Sequence, residues 1–464
     1  MIKRHVPAML AGSLIAGLSA CSSLPTEETA APALQNEIAA IDAPDRWAFG
    51  AGFDQQIADD WADLIEDDQL QQLIEEALER NPSLRASAEN LNRARAVVAQ
   101  SKAGLLPTIT GSLGASGGGD VDGDNFDDRY SSSLSASWEA DLWGAIRSGI
   151  LSDQYDLQST AAIYKSTRQS LIANVARAYI SLVEAKKQLQ LSTETLAAQT
   201  ETLRVVQTRY DLGAASRVEV VLAESDVAGA QDNVVAATAL RTSNAISLQT
   251  LLNRYPNGDI EVSDAFPSIP ENMGIGAQIE LLSRRPDILA AEYDVLSAFS
   301  ATRVLEARRW PELSLSTGVT AGASNPASLF DPVSLSYSIG ASLANSLFDG
   351  GLTKARLDAA NATQRQALAL YGQTVLSGYQ EVEVFLQNLK ALRQRQTYTE
   401  TRARAARETL DLAEIQYRAG DIDLLDVLTF RQRSFQADSA LLSIQQQLLE
   451  TRIALYLALG GSAE

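Results

Sequence analysis

Cys21 is the chain's only cysteine and His5 its only histidine. Both fall early in a chain of 464 residues, so everything downstream works without a thiol or an imidazole. That excludes Ser-His-Asp and Cys-His nucleophilic catalysis, and metal centres held by His or Cys. Carboxylates remain. Asp120, Asp122, Asp124, Asp127 and Asp128 crowd one glycine-rich stretch and invite a calcium reading. The stretch lacks the EF-hand pattern and its distal Glu, so it reads as a solvated hairpin loop. The other acids are scattered without a motif. An enzyme is therefore the weakest reading, and no metal site is expected. A net charge of −20 argues against nucleic acid as a partner. It suits a solvated surface or a lumen that favours cations.

Cys21 itself sits at an informative place. Lys3 and Arg4 precede an apolar run from Val6 to Leu18 that is too short to span a bilayer. The run ends in Leu18-Ser19-Ala20-Cys21, which resembles a bacterial lipoprotein signal. The resemblance implies removal of residues 1–20, with covalent diacylglycerol and N-acyl lipid on Cys21. Two or more acyl chains anchor stably, at about 0.8 kcal/mol per buried methylene. Ser22 follows rather than Asp, as in lipoproteins sorted to the outer membrane. Nothing later is apolar for the ~18 residues a membrane helix needs. A chain of this kind crosses a membrane only by strands closed into a barrel.

Two polar segments repeat. Arg209-Tyr210-Asp211-Leu212-Gly213 is followed by Ser216 and Glu219, and Gln416-Tyr417-Arg418-Ala419-Gly420 by Asp423 and Asp426. Gly420 lies 207 residues after Gly213, while Pro82 and Pro286, and Pro107 and Pro311, are each 204 apart. Solenoid periods are about 20–50 residues, so one large module has been duplicated. Gly213 and Gly420 suit the left-handed position that ends a helix. Ser216-x-x-Glu219 has the form of a capping box for the returning helix, and Asp423 and Asp426 stand at the matching places. Long helices flank both tips. Residues 151–212 contain no Pro and no Gly, and Val175, Leu182, Leu189, Leu196, Leu203 and Tyr210 recur every seven residues. Leu428, Phe435, Leu442, Leu449 and Tyr456 do the same near the C-terminus. A seven-residue period predicts left-handed coiled coil.

Strands must position the rest. Tyr130, Leu134, Ala136 and Trp138 alternate with Ser131, Ser133, Ser135 and Ser137. Ile109, Leu113 and Ala115 mark one face of a strand before them. In the second copy Leu313, Leu315, Val319 and Ala321 alternate with Ser314, Ser316 and Thr320; then Val333, Leu335, Tyr337, Ile339, Ala341 and Leu343 alternate with serines. Apolar on one face, small and polar on the other, over about 9–11 residues, is the transmembrane-barrel pattern. Four strands cannot close a barrel, since the smallest have about eight, so copies must combine. The predicted organisation is a leader at 1–20 and an extended arm at 21–60. A first repeat follows at 61–255 with strands 108–116 and 130–140. A linker at 256–276 leads to a second repeat at 277–464 with strands 312–322 and 333–344.

Taken with Arg284-Arg285-Pro286-Asp287-Ile288, Val175-Ala176-Arg177-Ala178-Tyr179 and Leu347-Phe348-Asp349-Gly350-Gly351, the two tips make residues 60–460 similar to the TolC-like outer-membrane factors. The likeness is greatest to the lipoprotein branch that serves tripartite efflux pumps. The resemblance implies a mainly α fold with transmembrane β: a duplicated helix–strand–strand–long helical hairpin module. Three copies, a homotrimer, would form a 12-strand outer-membrane β-barrel and a periplasmic α-helical coiled-coil barrel. It implies a passive exit duct for small molecules, in outer-membrane lipid, without a cofactor. A periplasmic adaptor (membrane fusion) protein would dock at the tips (Gly213, Ser216, Gly420, Asp423), and an inner-membrane pump would supply the energy. Asp426 matches the family's acidic gate, whose second acid is Thr429 here. Glu219 and Tyr417 match its hairpin latch, but the expected arginine is Ile422, which leaves Arg217 or Arg418 as substitutes. The same architecture serves type I protein secretion, and a pore-free coiled-coil lipoprotein is the structural alternative. Met273 is the only methionine beyond the leader, which marks down a methionine-lined copper path.

Overall fold

A computed structural model describes residues 26–44, 46–50, 65–119, 126–269, 274–331 and 335–461. The leader, Cys21, Asp120, Asp122, Asp124, Met273 and Val333 lie outside the described residues. In chain order the elements are α1 (Thr26–Ala40), α2 (Asp68–Arg80), α3 (Pro82–Ala103), β1 (Thr108–Gly119), β2 (Phe126–Ala140), α4 (Ala145–Asp211), α5 (Arg217–Leu251), α6 (Leu281–Arg284), α7 (Pro286–Ala307), β3 (Glu312–Ala323), β4 (Leu335–Ala344), α8 (Leu352–Ala419) and α9 (Leu424–Ala458). The chain divides into two compact units.

The first unit takes residues 1–42, 94–158 and 291–372. Its centre is an antiparallel sheet in the order β1-β2-β3-β4. The register aligns Ile109 with Ala136, Thr317 and Ile339, and Leu134 with Val319 and Tyr337. Directly opposed residues share a face, so every apolar residue that the alternation singles out on these strands lands on one side. The other side is a hydroxyl ladder. Ser112 bonds Ser133 at 2.7 Å and Thr320 bonds Ser336 at 2.9 Å. Both β1 and β4 are exposed along their whole length.

The arm expected to be extended over 21–60 is helical where α1 lies. Ala-rich sequence and two acids in the first turn, Glu27 and Glu28, favour a helix start. The deciding term is packing: Thr26, Ala30 and Leu34 are buried, Tyr155 donates to Glu27 at 2.8 Å, and Arg303 donates to Thr26 Oγ1 at 3.2 Å.

The second unit takes residues 43–93, 159–290 and 373–464 and holds both helical hairpins. Here the duplication shows in the backbone. Four helices of the two repeats end in the same double bond of the Schellman type. Ala214 N–H donates to Arg209 O and Gly213 N–H to Tyr210 O; Asp421 and Gly420 repeat this toward Gln416 and Tyr417. The returning helices close likewise at Asn253 and Gly460, again 207 residues apart. The sequence marks have structural work in this unit. Tyr179 is buried and its hydroxyl donates to Asp67 at 2.9 Å. Arg285, also buried, donates to Asp287 (2.7 Å), Glu381 (2.7 Å) and the Ala458 carbonyl (3.0 Å).

Candidate functional site

α4 and α8 run 67 and 68 residues, roughly 100 Å each, and hand over to α5 and α9 at tight tips. Gly213 and Gly420 have φ of +75° and +86°, backbone that other residues enter at a cost of about 1–2 kcal/mol. Ser216 then caps α5. Its hydroxyl accepts from Glu219 N–H at 3.3 Å, and Glu219 Oε2 accepts from Ser216 N–H at 2.6 Å. Asp423 caps α9 by accepting from Asp426 N–H at 3.1 Å. The same two places in the repeat thus serve the same structural end.

Below the tips the two hairpins pack on each other. Val206, Val220, Leu424 and Leu428 form a small buried core, with Leu203, Leu222 and Tyr417 against it. The Tyr417 ring lies under the Arg209 guanidinium at 5.3 Å, and its buried hydroxyl makes no hydrogen bond. Glu219 is engaged by Ser216. No bond joins Glu219 to Tyr417 within the protomer. Asp426 and Thr429, three residues apart on α9, are both exposed.

Sequence reasoning missed the group that ties the tips together. Arg431 is buried on α9. It donates to Thr202 Oγ1 on α4 at 2.8 Å and to Glu414 Oε1 on α8 at 2.7 Å. It also faces Asp226 on α5. Burial raises the Asp226 pKa, and the Arg431 charge pulls it back down. Arg418, one of the two expected substitutes, reaches only its own neighbour Glu414 from an exposed position, donating to its carbonyl at 3.2 Å and lying 3.8 Å from its carboxylate; Arg217 is exposed. The available signal was one cation three residues after the apolar Leu428, on the seam side of α9.

Further along the hairpins a cleft of 470 Å³ is lined by Arg177, Phe385, Asn388, Arg395, Glu450 and Thr451, among others. Arg177 Nε is buried there without a hydrogen bond. Glu184, buried on α4, lies near Glu450, and burial foremost, then that second carboxylate, raises its pKa. No group of His, Cys, Asp and Glu able to hold a metal occurs among the described residues.

The geometry recurs in known proteins. The chain is 29% identical over 461 residues to the pyoverdine export outer membrane protein OpmQ of Pseudomonas aeruginosa, covering 96% of this chain and 94% of that one. It is 26% identical over 405 residues to the cation efflux system protein CusC of Escherichia coli O157:H7, covering 86% and 88%. The structure matches the open-state Neisseria gonorrhoeae MtrE outer membrane channel with a TM-score of 0.83 at 27% identity, over 91% and 96% of the two chains. The outer membrane efflux protein family matches at residues 73–254 and 279–461, one stretch for each repeat, and the chain belongs to that family.

Proposed function

We propose that three copies of this chain close one duct, the outer-membrane exit of a tripartite efflux system. The sheet carries the argument. Its apolar face is uncovered, with Leu113, Tyr337 and Ile339 all exposed, and in water such a face is a large liability. Lipid removes that liability. β1 and β4 expose strand edges, which bilayer hydrocarbon does not tolerate, so each edge must meet another copy. The hydroxyl face then lines a wet lumen, and twelve strands supply the circumference. No helix among the described residues is long and apolar enough to cross a membrane, which leaves the strands as the spanning part.

Lipid on Cys21 would hold the arm to the same membrane. The tips at Gly213 and Gly420 would meet the periplasmic adaptor, behind which an inner-membrane pump does the work. Asp426 would ring the narrow end and attract cations; Thr429 beside it adds no charge. Glu219 and Tyr417, unjoined here, would belong to a latch between the hairpins. Relatives named for pyoverdine and for cations support a passive wall, with selection made by the pump.

Reconstitution tests this. The purified protein should have the native mass of three chains in detergent and conduct ions in planar bilayers. A monomer that leaves bilayers silent would favour the pore-free rod.

A further inference from the structure

Two clefts of the second unit meet at Arg177. The larger, 470 Å³, has Arg177, Arg395, Asn388, Phe385 and Glu450 among its walls. The other, 330 Å³, shares Arg177, Phe385 and Ala454 with it and adds Arg285, Asp287 and Glu381. Their charges do not balance. Asp287 and Glu381 are both engaged by Arg285. Glu450 is the only acid among the described residues of the larger cleft, and its Oε1 already accepts from Ser181 at 2.8 Å and Gln446 at 3.0 Å. Arg177 has no hydrogen bond or ion pair among the described residues, and its Nε is shut away from water without an acceptor. Arg395 is exposed and equally unpaired among the described residues.

A buried guanidinium N–H left without an acceptor is costly, and a bound anion offsets that cost. The guanidinium fork matches a carboxylate, and the Asn388 amide adds a neutral donor. Phe385, Leu392 and Leu457 give the clefts an apolar wall, and the volume suits a small molecule. That combination favours an organic acid with an apolar body over a hydrated inorganic ion. The clefts also open on a definite side. The Tyr179 hydroxyl on α4 donates to Asp67 and accepts from Ser263 N–H, and Arg452 on α9 donates to the Ile269 carbonyl. Both helices thus turn one side to the irregular chain before α2 and between α5 and α6. Arg177 is two residues from Tyr179, and Glu450 two from Arg452, about 200° round a helix. They lie on the opposite side. In a closed duct the covered side must face outward, because a layer of chain inside would fill the bore.

We propose that the cleft at Arg177 binds small organic carboxylates on the lumen side of the duct wall, Arg177 holding the carboxylate and Phe385 the apolar body. The lumen placement rests on the duct reading; the ligand class rests on the cleft alone. Each copy supplies one such positive site in a chain of net charge −20. An organic acid crossing the duct is thus held against the general repulsion.

Equilibrium dialysis of 2-naphthoate against the full-length protein in detergent, with empty micelles as the blank, tests the ligand class. The parent should bind one 2-naphthoate per chain. Arg177→Gln should bind it about tenfold more weakly, as expected for loss of a charge-assisted contact. The uncharged 2-naphthalenemethanol should not distinguish parent from variant. Equal 2-naphthoate affinity in the two proteins would overturn the site. An equal loss for the alcohol would overturn the ligand class, since apolar filling rather than charge would then be doing the binding. Where Arg177→Gln does not fold, Arg395→Gln at the exposed rim replaces it; weaker 2-naphthoate binding is expected, and unchanged binding overturns the site. Planar bilayers read the location. 2-Naphthoate should lower the conductance of the parent more than that of the variant. Binding with no effect on conductance would take the site off the lumen. A protein that binds 2-naphthoate through Arg177 yet is monomeric and silent would keep the cleft and end the duct.

Discussion

Arg431 and Glu414 meet at 2.7 Å across the gap between α9 and α8, and the same guanidinium reaches Thr202 on α4. One buried cation thus joins the two hairpins a short way from their tips. Hydrogen bonds to charged groups contribute about 1.5–3 kcal/mol each, and Glu414 is only half-buried, which places its bond at the low end.

Arg431→Met keeps an apolar stem and removes the charge, leaving Asp226 without its cation and Glu414 with only the exposed Arg418 beside it. The hairpins should then separate more readily near the tips. Amide hydrogen exchange around 198–205 and 414–431 should accelerate by about tenfold, as expected for a loss near 1.4 kcal/mol. Channels in bilayers should open more often. Exchange rates equal to those of the parent would show that the apolar cluster at Val206 and Leu424 holds the tips alone.

Gly420 and Gly460 both have positive φ, but they answer to different constraints. Around Gly420 a Cβ meets nothing within 4 Å, so Gly420→Ala costs only backbone strain, about 1–2 kcal/mol. At Gly460 the added carbon would lie 2.8–2.9 Å from the backbone of Arg284, next to the Arg285 clamp on the Ala458 carbonyl. Gly460→Ala should abolish trimer yield in membranes while Gly420→Ala assembles. Equal yields would show that the chain around Arg284 yields to the new carbon.

The repeat, the strand alternation and the tip glycines were legible in sequence because each is a local signal: a fixed period, a period of two, a glycine at a helix end. α1 was not, since Thr26–Ala40 is helical by virtue of burying Ala30 and Leu34 on the first unit, a contact no local pattern encodes. Arg431 was hidden for the same reason. An arginine on a long helix reads as a solvated side chain until Thr202 and Glu414, 229 and 17 residues away in sequence, are placed beside it. The heptad leucines were visible, but whether a track such as Val221, Ala228, Val235 is covered inside one copy or left for the next depends on where the hairpins lie.

Asp426 is exposed, and its backbone N–H is already held by Asp423. Its carboxylate adds only the dipole term of an acid in a first helical turn, about 0.3–1 kcal/mol. Asp426→Asn should leave assembly and melting near the parent's and weaken block by multivalent cations added on the periplasmic side. With Thr429 uncharged, no second acid three residues on compensates. Block that persists at the same concentration would take the gate away from this residue.

Glu184 gives a pH dependence with a definite sign. It is buried on α4, accepts from Gln188 at 2.9 Å, and faces Glu450, whose Oε1 accepts from Ser181 at 2.8 Å. Burial first, and the neighbouring carboxylate after it, raise its pKa above the ordinary 4.5. The folded chain therefore holds this proton more tightly than the unfolded one. Whatever stability it contributes is fully present below 4.5 and is lost as pH rises through the folded value. Glu184→Gln fixes the neutral form at nearly constant volume and keeps an acceptor for Gln188. The variant should match the parent in acid and become the more stable of the two toward neutrality. Chemical denaturation at a series of pH values measures the gap; one that stays flat, or narrows as pH rises, would mean that Glu184 is ionised in the folded protein and solvated through the neighbouring cleft.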